Sequence, residues 1–374
     1  MSKDTSLPAP DTFPDLLLTM TALSGEFPSS LVSRLPGSMY YKRNAVTGLK
    51  KRGLLYKYSH DGLHGLRLTS TAKKLLLEQQ PDRYGNIFAG DSALSTPRYT
   101  PVKRARLHRM AEVLVAMYNA NVLLLPWEKP AICQDDGRMK MGDIAEPTYY
   151  TSLEIKGAGD EGRKFTGSRA TGVLYTCENA YLIFNTGMTE MKWDSNSEIR
   201  LKAEISHQML SFSYTGVKQA DAMMFAADMS QLEVLMQGGR RKRRNQTVLD
   251  EFEHFHYLTN DYQGETVLRL LCDPELKAAL DNILLEDLIP VAKDYFRYDC
   301  DALDEDGTPV LLGYTCDMPR IGRFDAALSI WETAGVLYCF DFQADALHRI
   351  CGPQVQIESI NFDLTDSHVI RTYG

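Results

Sequence analysis

The sequence predicts a mixed α+β and α/β fold, in which an N-terminal winged helix-turn-helix domain precedes a mixed α/β body. Three observations support this prediction: the order of helix and strand patterns before residue 80, the alternation of strands and helices after about Tyr149, and a change of charge between the two parts. The domains are expected at residues 1–80 and 102–374, with a linker rich in Gly, Ser and Pro at 81–101. A sub-boundary in the body is expected near 238–246.

The formal net charge of −8 is unevenly distributed along the 374 residues. From Met1 to Pro126 there are 17 Lys and Arg against 9 Asp and Glu, a net charge of +8. The remaining chain has 24 basic and 40 acidic residues, a net charge of −16. A basic N-terminal part on an acidic protein indicates a local surface for a polyanion, so double-stranded DNA is the expected partner.

The N-terminal domain starts with three predicted helices. They span "DLLLTMTAL" (Asp15–Leu23), "SSLVSRL" (Ser29–Leu35) and a stretch that ends at Arg52. Ser29 or Ser30 can cap the second helix, a turn at "PG" follows it, and Ser38 can cap the third. Gly53 is placed to stop that third helix.

A two-stranded hairpin is predicted directly after the third helix. The segments "LLYKY", "SHDGLHG" and "LRLTS" have the pattern strand, turn, strand, and the helical segment "TAKKLLLEQQ" follows them. Helix, helix, turn, helix and a hairpin wing is the element order of a winged helix domain.

The third helix has two different faces when its residues are placed 100° apart. Tyr41, Ala45, Val46 and Leu49 share a sector that would face the core. The opposite sector consists of Tyr40, Arg43, Asn44, Thr47, Lys50 and Lys51. Such side chains can bond guanine or adenine edges and neutralise phosphates, as a recognition helix does.

The hairpin adds Lys57 and His60 or His64, which could contact the DNA backbone or the minor groove. No acidic residue occurs from Tyr40 to Lys57, whereas an ordinary solvated helix face mixes both signs of charge. A solvated face and a protein-docking winged helix are the alternative interpretations.

The body contains an amphipathic helix at Val102–Ala120 and then predicted strands and helices in alternation. A strand is predicted at "TYYTSLEIK", followed by a hairpin at "TGVLYTCENAYLIFNTG" and a helix at "SEIRLKAEISHQML". Three strand–helix units come next: "AMMFAAD" with "MSQLEVLMQ", "HFHYLT" with "GETVLRLL", and "VLYCFDF" with "QADALHRI". Alternation of this kind is typical of an α/β body.

Two blocks of the sequence resemble the replication-relaxation family of Firmicute plasmids and integrative mobile elements. They are "LRLTSTAKKLL" and the later "SRATGVLYT…YLIFNTG…MKW…SEI". The resemblance implies a winged helix joined to an α/β body, a role in plasmid replication or mobilisation, and other replication or mobilisation proteins as partners. It transfers no active site.

One candidate catalytic pair is Glu154 and Lys156 in the predicted strand. Side chains two apart on a strand share a face, so the carboxylate could bind Mg²⁺ while the ammonium positions a water. Asp143 or Asp136 would supply a further ligand, in a body like that of restriction endonucleases. The alternative is a solvated strand face with alternating charges.

A second candidate is "HFH", in which His254 and His256 would point to one face of a strand and bind a metal. Rolling-circle initiators and relaxases have a similar strand beside a nucleophilic tyrosine. The side chains that could complete this site are Tyr295, Tyr298, Glu251 and Glu253. The alternative is an exposed strand face with Phe255 on the core side.

Five consecutive basic residues lie in "GGRRKRRNQ", between predicted elements. They are Arg240, Arg241, Lys242, Arg243 and Arg244. A loop of this composition can contact phosphates, or it can be solvated without a partner.

The leading interpretation is a non-catalytic DNA-binding protein of a bacterial mobile genetic element. One alternative is a divalent-metal-dependent DNA endonuclease or nicking enzyme, for which Mg²⁺ or Mn²⁺ would be the cofactor. Another is a protein-interaction scaffold that binds no DNA. A homodimer is compatible with all three. The scattered cysteines, the lack of an N-terminal signal pattern and the lack of long apolar runs predict a cytoplasmic protein without membrane contact.

Overall fold

The computed structural model has a mixed α+β fold with three β-sheets. It describes residues 6–88, 94–95, 98–130, 144–157, 168–177, 179–188, 195–211, 220–241, 251–291 and 297–373. The chain divides into two compact units. Unit 1 comprises Met1–Asn119 and Leu124–Pro130, and unit 2 comprises Ala120–Leu123 and Ala131–Gly374.

Unit 1 combines helices with one small antiparallel sheet. Its elements are α1 (Phe13–Ser24), β1 (Phe27–Pro28), a 3₁₀ helix (Ser29–Ser33), α2 (Met39–Lys51), β2 (Leu55–His60), β3 (Leu63–Leu68), α3 (Ser70–Gln79), α4 (Pro81–Tyr84) and α5 (Pro101–Asn119). The sheet has the strand order β1-β3-β2. The predicted second helix, Ser29–Leu35, is therefore only a short 3₁₀ helix. Pro36 disfavours a helical conformation at Leu35, which limits its length.

The predicted hairpin is confirmed, and its strands are longer than expected at the turn. β2 and β3 pair in register from Leu55↔Leu68 to His60↔Leu63, which leaves Asp61 and Gly62 as the two turn residues. Both have positive φ, 54° and 73°. Two consecutive residues of this conformation form the type I′ turn that suits the twist of a two-stranded ribbon.

The helix α5 packs in unit 1, although the sequence placed this segment at the start of the body. It contacts α1, β1 and β3. Its apolar residues from Met110 to Met117 are largely buried, and Arg104 is fully buried beside Glu26. The expected linker also begins inside unit 1, because the fully buried Tyr84 of α4 bonds Thr19 Oγ1 through its hydroxyl at 2.7 Å. The boundary between the units therefore lies further along the chain than residue 101.

Unit 2 contains two five-stranded sheets. The first has the order β4-β5-β6-β7-β8, with β4, β5 and β6 antiparallel and β6, β7 and β8 parallel. Its elements are β4 (Thr148–Thr151), α6 (Ser152–Gly157), β5 (Gly172–Tyr175), β6 (Ala180–Gly187), α7 (Ser195–Ser211), β7 (Asp221–Ala226), α8 (Ser230–Arg241) and β8 (Phe255–Thr259).

The second sheet follows in the chain and has the order β13-β12-β11-β10-β9. Its elements are α9 (Tyr262–Cys272), α10 (Pro274–Leu284), β9 (Ile289–Pro290), β10 (Ala302–Leu303), β11 (Pro309–Leu312), α11 (Met318–Trp331), β12 (Gly335–Phe340), α12 (Asp341–Ile350) and β13 (Val355–Ile360). A short helical segment, 362–373, ends the described chain. All three predicted strand–helix units of the body are present.

The two sheets of unit 2 share one hydrophobic core. That core includes Phe184 and Phe255 from the first sheet and Leu337 and Cys339 from the second. The backbone N–H of Tyr257 in β8 also donates to the carbonyl of Cys316 at 3.0 Å. The sheets are therefore coupled both by apolar packing and by backbone hydrogen bonds.

Candidate nucleic-acid interface

The helix α2 begins and ends where local sequence rules place its limits. The hydroxyl of Ser38 accepts a hydrogen bond from the N–H of Tyr41 at 3.3 Å, which caps the first turn. After Lys51 the chain leaves the helix, and Gly53 adopts a positive φ of 73°. Ala45 and Leu49 are buried against the rest of unit 1. The predicted cap, stop and central core positions are confirmed.

All six side chains predicted for the outer face of α2 are exposed. They are Tyr40, Arg43, Asn44, Thr47, Lys50 and Lys51. Tyr40 at the N-terminal end has 79% of its surface exposed. The sequence has no Asp or Glu between Glu26 and Asp61. Lys57 of β2 is exposed as well. This surface, which we call the basic face, can donate to base edges and phosphates.

Two residues of α2 differ from the predicted division into faces. Tyr41 was expected in the core but is 46% exposed, and its ring lies against Phe13 with 5.8 Å between centroids. Lys42 was assigned to neither face, yet only 4% of its surface is exposed. At 100° per residue Lys42 falls roughly 60° from Ala45, within the core sector. The helical period of the sequence therefore indicates that Lys42 is buried.

A groove of about 580 Å³ lies between the 3₁₀ helix, α2 and the β2–β3 hairpin. Its cationic lining comes from Lys42, Arg43, Lys50 and Lys57. Its remaining lining residues are Ser29, Ser30, Val32, Ser33, Met39, Val46, Thr47 and Leu66. The groove therefore combines positive charge and hydroxyl groups with an apolar surface, beside the basic face.

The hairpin is attached to unit 1 by a buried carboxylate, Glu26. Its oxygens accept hydrogen bonds from Arg67 Nη2 at 2.6 Å and Arg104 Nη2 at 2.6 Å, and they lie 2.9 Å from His108 Nε2. Burial raises the pKa of the Glu26 carboxyl, but the hydrogen bonds of His108, Arg104 and Arg67 outweigh this and lower it to about 2. We call these four residues the Glu26 network.

Arg104 connects this network to the tip of the hairpin. Its Nη1 donates to the carbonyl of His60 at 2.5 Å, and its Nη2 donates to that of Leu63 at 3.0 Å. The guanidinium also lies over the ring of Tyr58, 4.6 Å from its centroid. Two residues that flank the turn are thereby tied to α5. No local sequence pattern indicates this contact, because Glu26 and Arg104 are 78 residues apart in the chain.

The two histidines of "HFH" lie on one face, as predicted. Their rings are nearly parallel, with centroids 6.5 Å apart. His254 Nδ1 lies 2.6 Å from Asp317 Oδ2, and His256 Nδ1 lies 3.2 Å from the carbonyl of Thr315. Among the residues that the structure describes, no group of three or more His, Cys, Asp or Glu could hold a metal. The predicted metal site is not assembled by this part of the chain.

The surroundings of the histidines also shift their proton affinities. The hydrogen bond with Asp317 raises the pKa of His254, and burial lowers that of His256. Burial raises the pKa of Asp221 to about 6. Asp221 and His254 lie at the amino-terminal ends of β7 and β8. Ligands of open α/β sheets bind at the carboxyl ends, so this position favours a structural role.

The other groups predicted for the metal site are dispersed or not described. Tyr298 is buried, with 5% of its surface exposed, and its ring contacts Arg297. The backbone carbonyl of Glu251 accepts from Lys202, and that of Glu253 accepts from Arg323 at 3.3 Å. Tyr295 lies outside the described residues.

The prediction that Glu154 and Lys156 share a strand face is wrong. The strand β4 ends at Thr151, and both residues lie in α6. Side chains two apart in a helix point in different directions. Glu154 Oε2 instead accepts from the N–H and the hydroxyl of Thr151, each at 2.8 Å, which stabilises the change from strand to helix. The side chain of Lys156, and both Asp136 and Asp143, lie outside the described residues.

The basic run was expected in a loop, but α8 extends into it. Arg240 and Arg241 form the last residues of that helix. Their side chains lie outside the described part of the structure, as do Lys242, Arg243 and Arg244 entirely. The first residues of the sub-boundary predicted near 238–246 therefore lie in α8.

Comparisons with protein-family models, with curated proteins and with solved structures gave no match. The resemblance to replication-relaxation proteins therefore stays a prediction. No helix in the described part of the chain has the length and apolarity needed to cross a bilayer.

Proposed function

We propose that unit 1 is a winged helix domain that binds duplex DNA. In this arrangement α2 is the recognition helix and the β2–β3 hairpin is the wing. The order of α1, β1, the 3₁₀ helix, α2 and the hairpin supports the proposal, because it is the element order of winged helices. The resemblance to replication-relaxation proteins supports plasmid replication or mobilisation as the biological setting.

The observation that carries the proposal is the unpaired charge of the basic face. Among the described residues, no carboxylate forms an ion pair with Arg43, Lys50, Lys51 or Lys57. Ordinary protein surfaces intersperse both signs of charge. A concentration of unpaired cations within a protein of net charge −8 therefore favours a polyanionic partner.

The positions along α2 separate two kinds of DNA contact. Arg43 and Asn44, in the first half of the helix, can bond guanine and adenine edges in the major groove. Lys50 and Lys51 lie in the last turn, and Lys57 lies on the hairpin, where phosphates are the natural partners. The proposal does not extend to strand cleavage, because Glu154 points back to Thr151 and both histidines have partners for Nδ1.

The proposal can be tested by fluorescence anisotropy of a labelled duplex at several salt concentrations. The test variant is Arg43→Ala, Lys50→Ala, Lys51→Ala. The control variant, Lys74→Ala, Lys103→Ala, Arg106→Ala, removes the same charge from exposed positions outside α2 and the hairpin. We expect a steep salt dependence that becomes shallower by about one unit for each lost phosphate contact in the test variant alone.

Two results would contradict the proposal. One is the absence of duplex binding by the wild-type protein at low salt. The other is an equal loss in the control variant, which would indicate attraction by net charge without a defined surface. Binding of an acidic protein in place of DNA would assign the basic face to protein docking.

A further inference from the structure

Lys42 is a buried cation for which the described part of the chain provides no carboxylate partner. Its side chain lies in the groove lining, although only 4% of the residue is exposed. Its Nζ donates to the carbonyl of Ser33 at 2.9 Å. No Asp or Glu pairs with it among the residues that the structure describes, and a lysine ammonium has three donors. Within the described residues, the neutral carbonyl of Ser33 is thus the acceptor for a full positive charge.

An unpaired buried charge is energetically unfavourable. Lysine is almost never fully buried without a partner, because an ammonium removed from water loses its hydration. The same protein shows the usual solution in the Glu26 network, where a buried carboxylate has cationic partners on several sides. An anion bound in the groove would supply a negatively charged partner for Lys42.

We propose that the groove receives one strand of the DNA backbone and that Lys42 binds a phosphate from inside it. This inference rests on the proposed function of unit 1. Arg43, Lys50 and Lys57 surround the same groove, so its field attracts an anion. The groove separates the recognition helix from the hairpin, which is where a backbone bordering the major groove must pass.

The hydroxyl groups and apolar side chains of the groove fit the same occupant. The hydroxyl of Ser29 donates to the carbonyl of His64, and that of Ser33 donates to the carbonyl of Ser30. The exposed Ser30 can donate to a phosphate oxygen. Met39, which is 45% exposed, and Val46 provide an apolar surface against which sugar rings can pack. A phosphodiester strand uses all three kinds of lining.

The experiment compares the full-length wild-type protein with Lys42→Met, which keeps the shape of the aliphatic stem and removes the charge. The control is Lys74→Met, at an exposed lysine of α3. Affinity for two duplexes of unrelated sequence is measured against salt concentration. We expect Lys42→Met to have a slope shallower by about 0.9 and an affinity roughly tenfold lower at about 0.1 M salt, equally for both duplexes.

The outcomes separate this inference from the function on which it rests. If the wild-type protein binds no duplex, the proposed function fails and the inference fails with it. If the wild-type protein binds and Lys42→Met keeps the wild-type slope, only the inference is overturned, even where affinity falls. Lys42→Gln, which retains a donor for the Ser33 carbonyl, provides the same comparison should the methionine variant not fold.

A further experiment distinguishes binding of the DNA backbone in the groove from binding of a free anion. Thermal unfolding is followed with inorganic phosphate at constant ionic strength and without DNA. We expect no stabilisation that depends on Lys42, because a single small anion lacks the neighbouring phosphates that the surrounding cations would bind. Lys42-dependent stabilisation by inorganic phosphate, together with an unchanged duplex slope, would assign the groove to a small anion and overturn the proposal.

Discussion

The Glu26 network gives a prediction whose magnitude follows from the structure. Replacing Glu26 with glutamine keeps the side-chain size but removes the charge on which Arg67 and Arg104 depend. All three side chains are at least 95% buried. Removing one partner of such a buried pair typically costs about 3–5 kcal/mol, because the remaining charge stays buried. We therefore expect unit 1 to lose about 3 kcal/mol of unfolding free energy at pH 7.

The lowered pKa leads to the same magnitude independently. The carboxyl changes from an ordinary value of 4.5 to about 2 in the folded protein. This difference corresponds to about 3 kcal/mol of stability. Because the folded pKa is depressed, the contribution is complete above pH 4.5 and is lost as the pH falls towards 2. Glu26→Gln should therefore approach the wild-type stability in acid.

The assay needs a signal from unit 1 alone. Trp127 lies in unit 1 beside Tyr84, so a background with Trp193→Phe and Trp331→Phe makes Trp127 the reporter. Urea unfolding is followed by fluorescence at pH 7 and at pH 3. We expect the midpoint of Glu26→Gln to fall by roughly 1–3 M urea at pH 7.

The control for this experiment is Glu78→Gln, which changes an exposed acid of α3 in the same unit. It should unfold within about 0.5 kcal/mol of the background protein, as surface substitutions usually do. An unchanged midpoint for Glu26→Gln at pH 7, or the same acid-induced loss in both proteins, would refute the assignment of stability to this network.

Three further predictions concern packing and protonation. In urea unfolding, Gly65→Ala should destabilise unit 1 by more than about 1 kcal/mol, because the new Cβ would lie 2.4 Å from the Glu26 side chain. Gly48→Ala should instead stabilise unit 1 by about 0.5–1 kcal/mol, because a Cβ at this helical position would have open space around it. Asp317→Asn should lower the pKa of His254, measured by NMR titration, since the carboxylate raises it. Asp221→Asn should stabilise unit 2 by about 1–3 kcal/mol at pH 7, because burial penalises the charged aspartate. The gain should decrease as the pH falls below about 6 and disappear near the ordinary carboxyl pKa of 3.8.

Local rules predicted the parts of the fold that depend on neighbouring residues. The Ser38 cap, the exit of the chain near Gly53 and the exposed face of α2 each depend on a few consecutive residues, so the sequence contains their signal. The same holds for the hairpin turn at Asp61 and Gly62, where the residue types match the required positive φ.

Contacts between residues far apart in the chain have no local sequence signal. Glu26 and Arg104 meet across 78 residues, and nothing near either of them indicates the other. This contact attaches α5 to unit 1, so the boundary between the two units lies further along the chain than the predicted linker at 81–101. At Glu154 the error was local: the segment has a strand-like composition, but the carboxylate bonds Thr151 and stabilises a helix start that periodicity does not reveal.

The Glu26 network and Lys42 act in the same direction in the proposed function. The Glu26 network contains one carboxylate and two guanidinium groups, so it has an excess of positive charge beside the hairpin, and Lys42 adds a further buried cation at the groove. Charges enclosed in protein are screened less by salt than exposed ones. A phosphate in the groove would therefore experience the field of these buried cations in addition to that of the exposed lysines. Lys42→Met should consequently reduce the duplex affinity at about 0.1 M salt more than Lys51→Ala, because Lys51 is exposed on the outer face of α2.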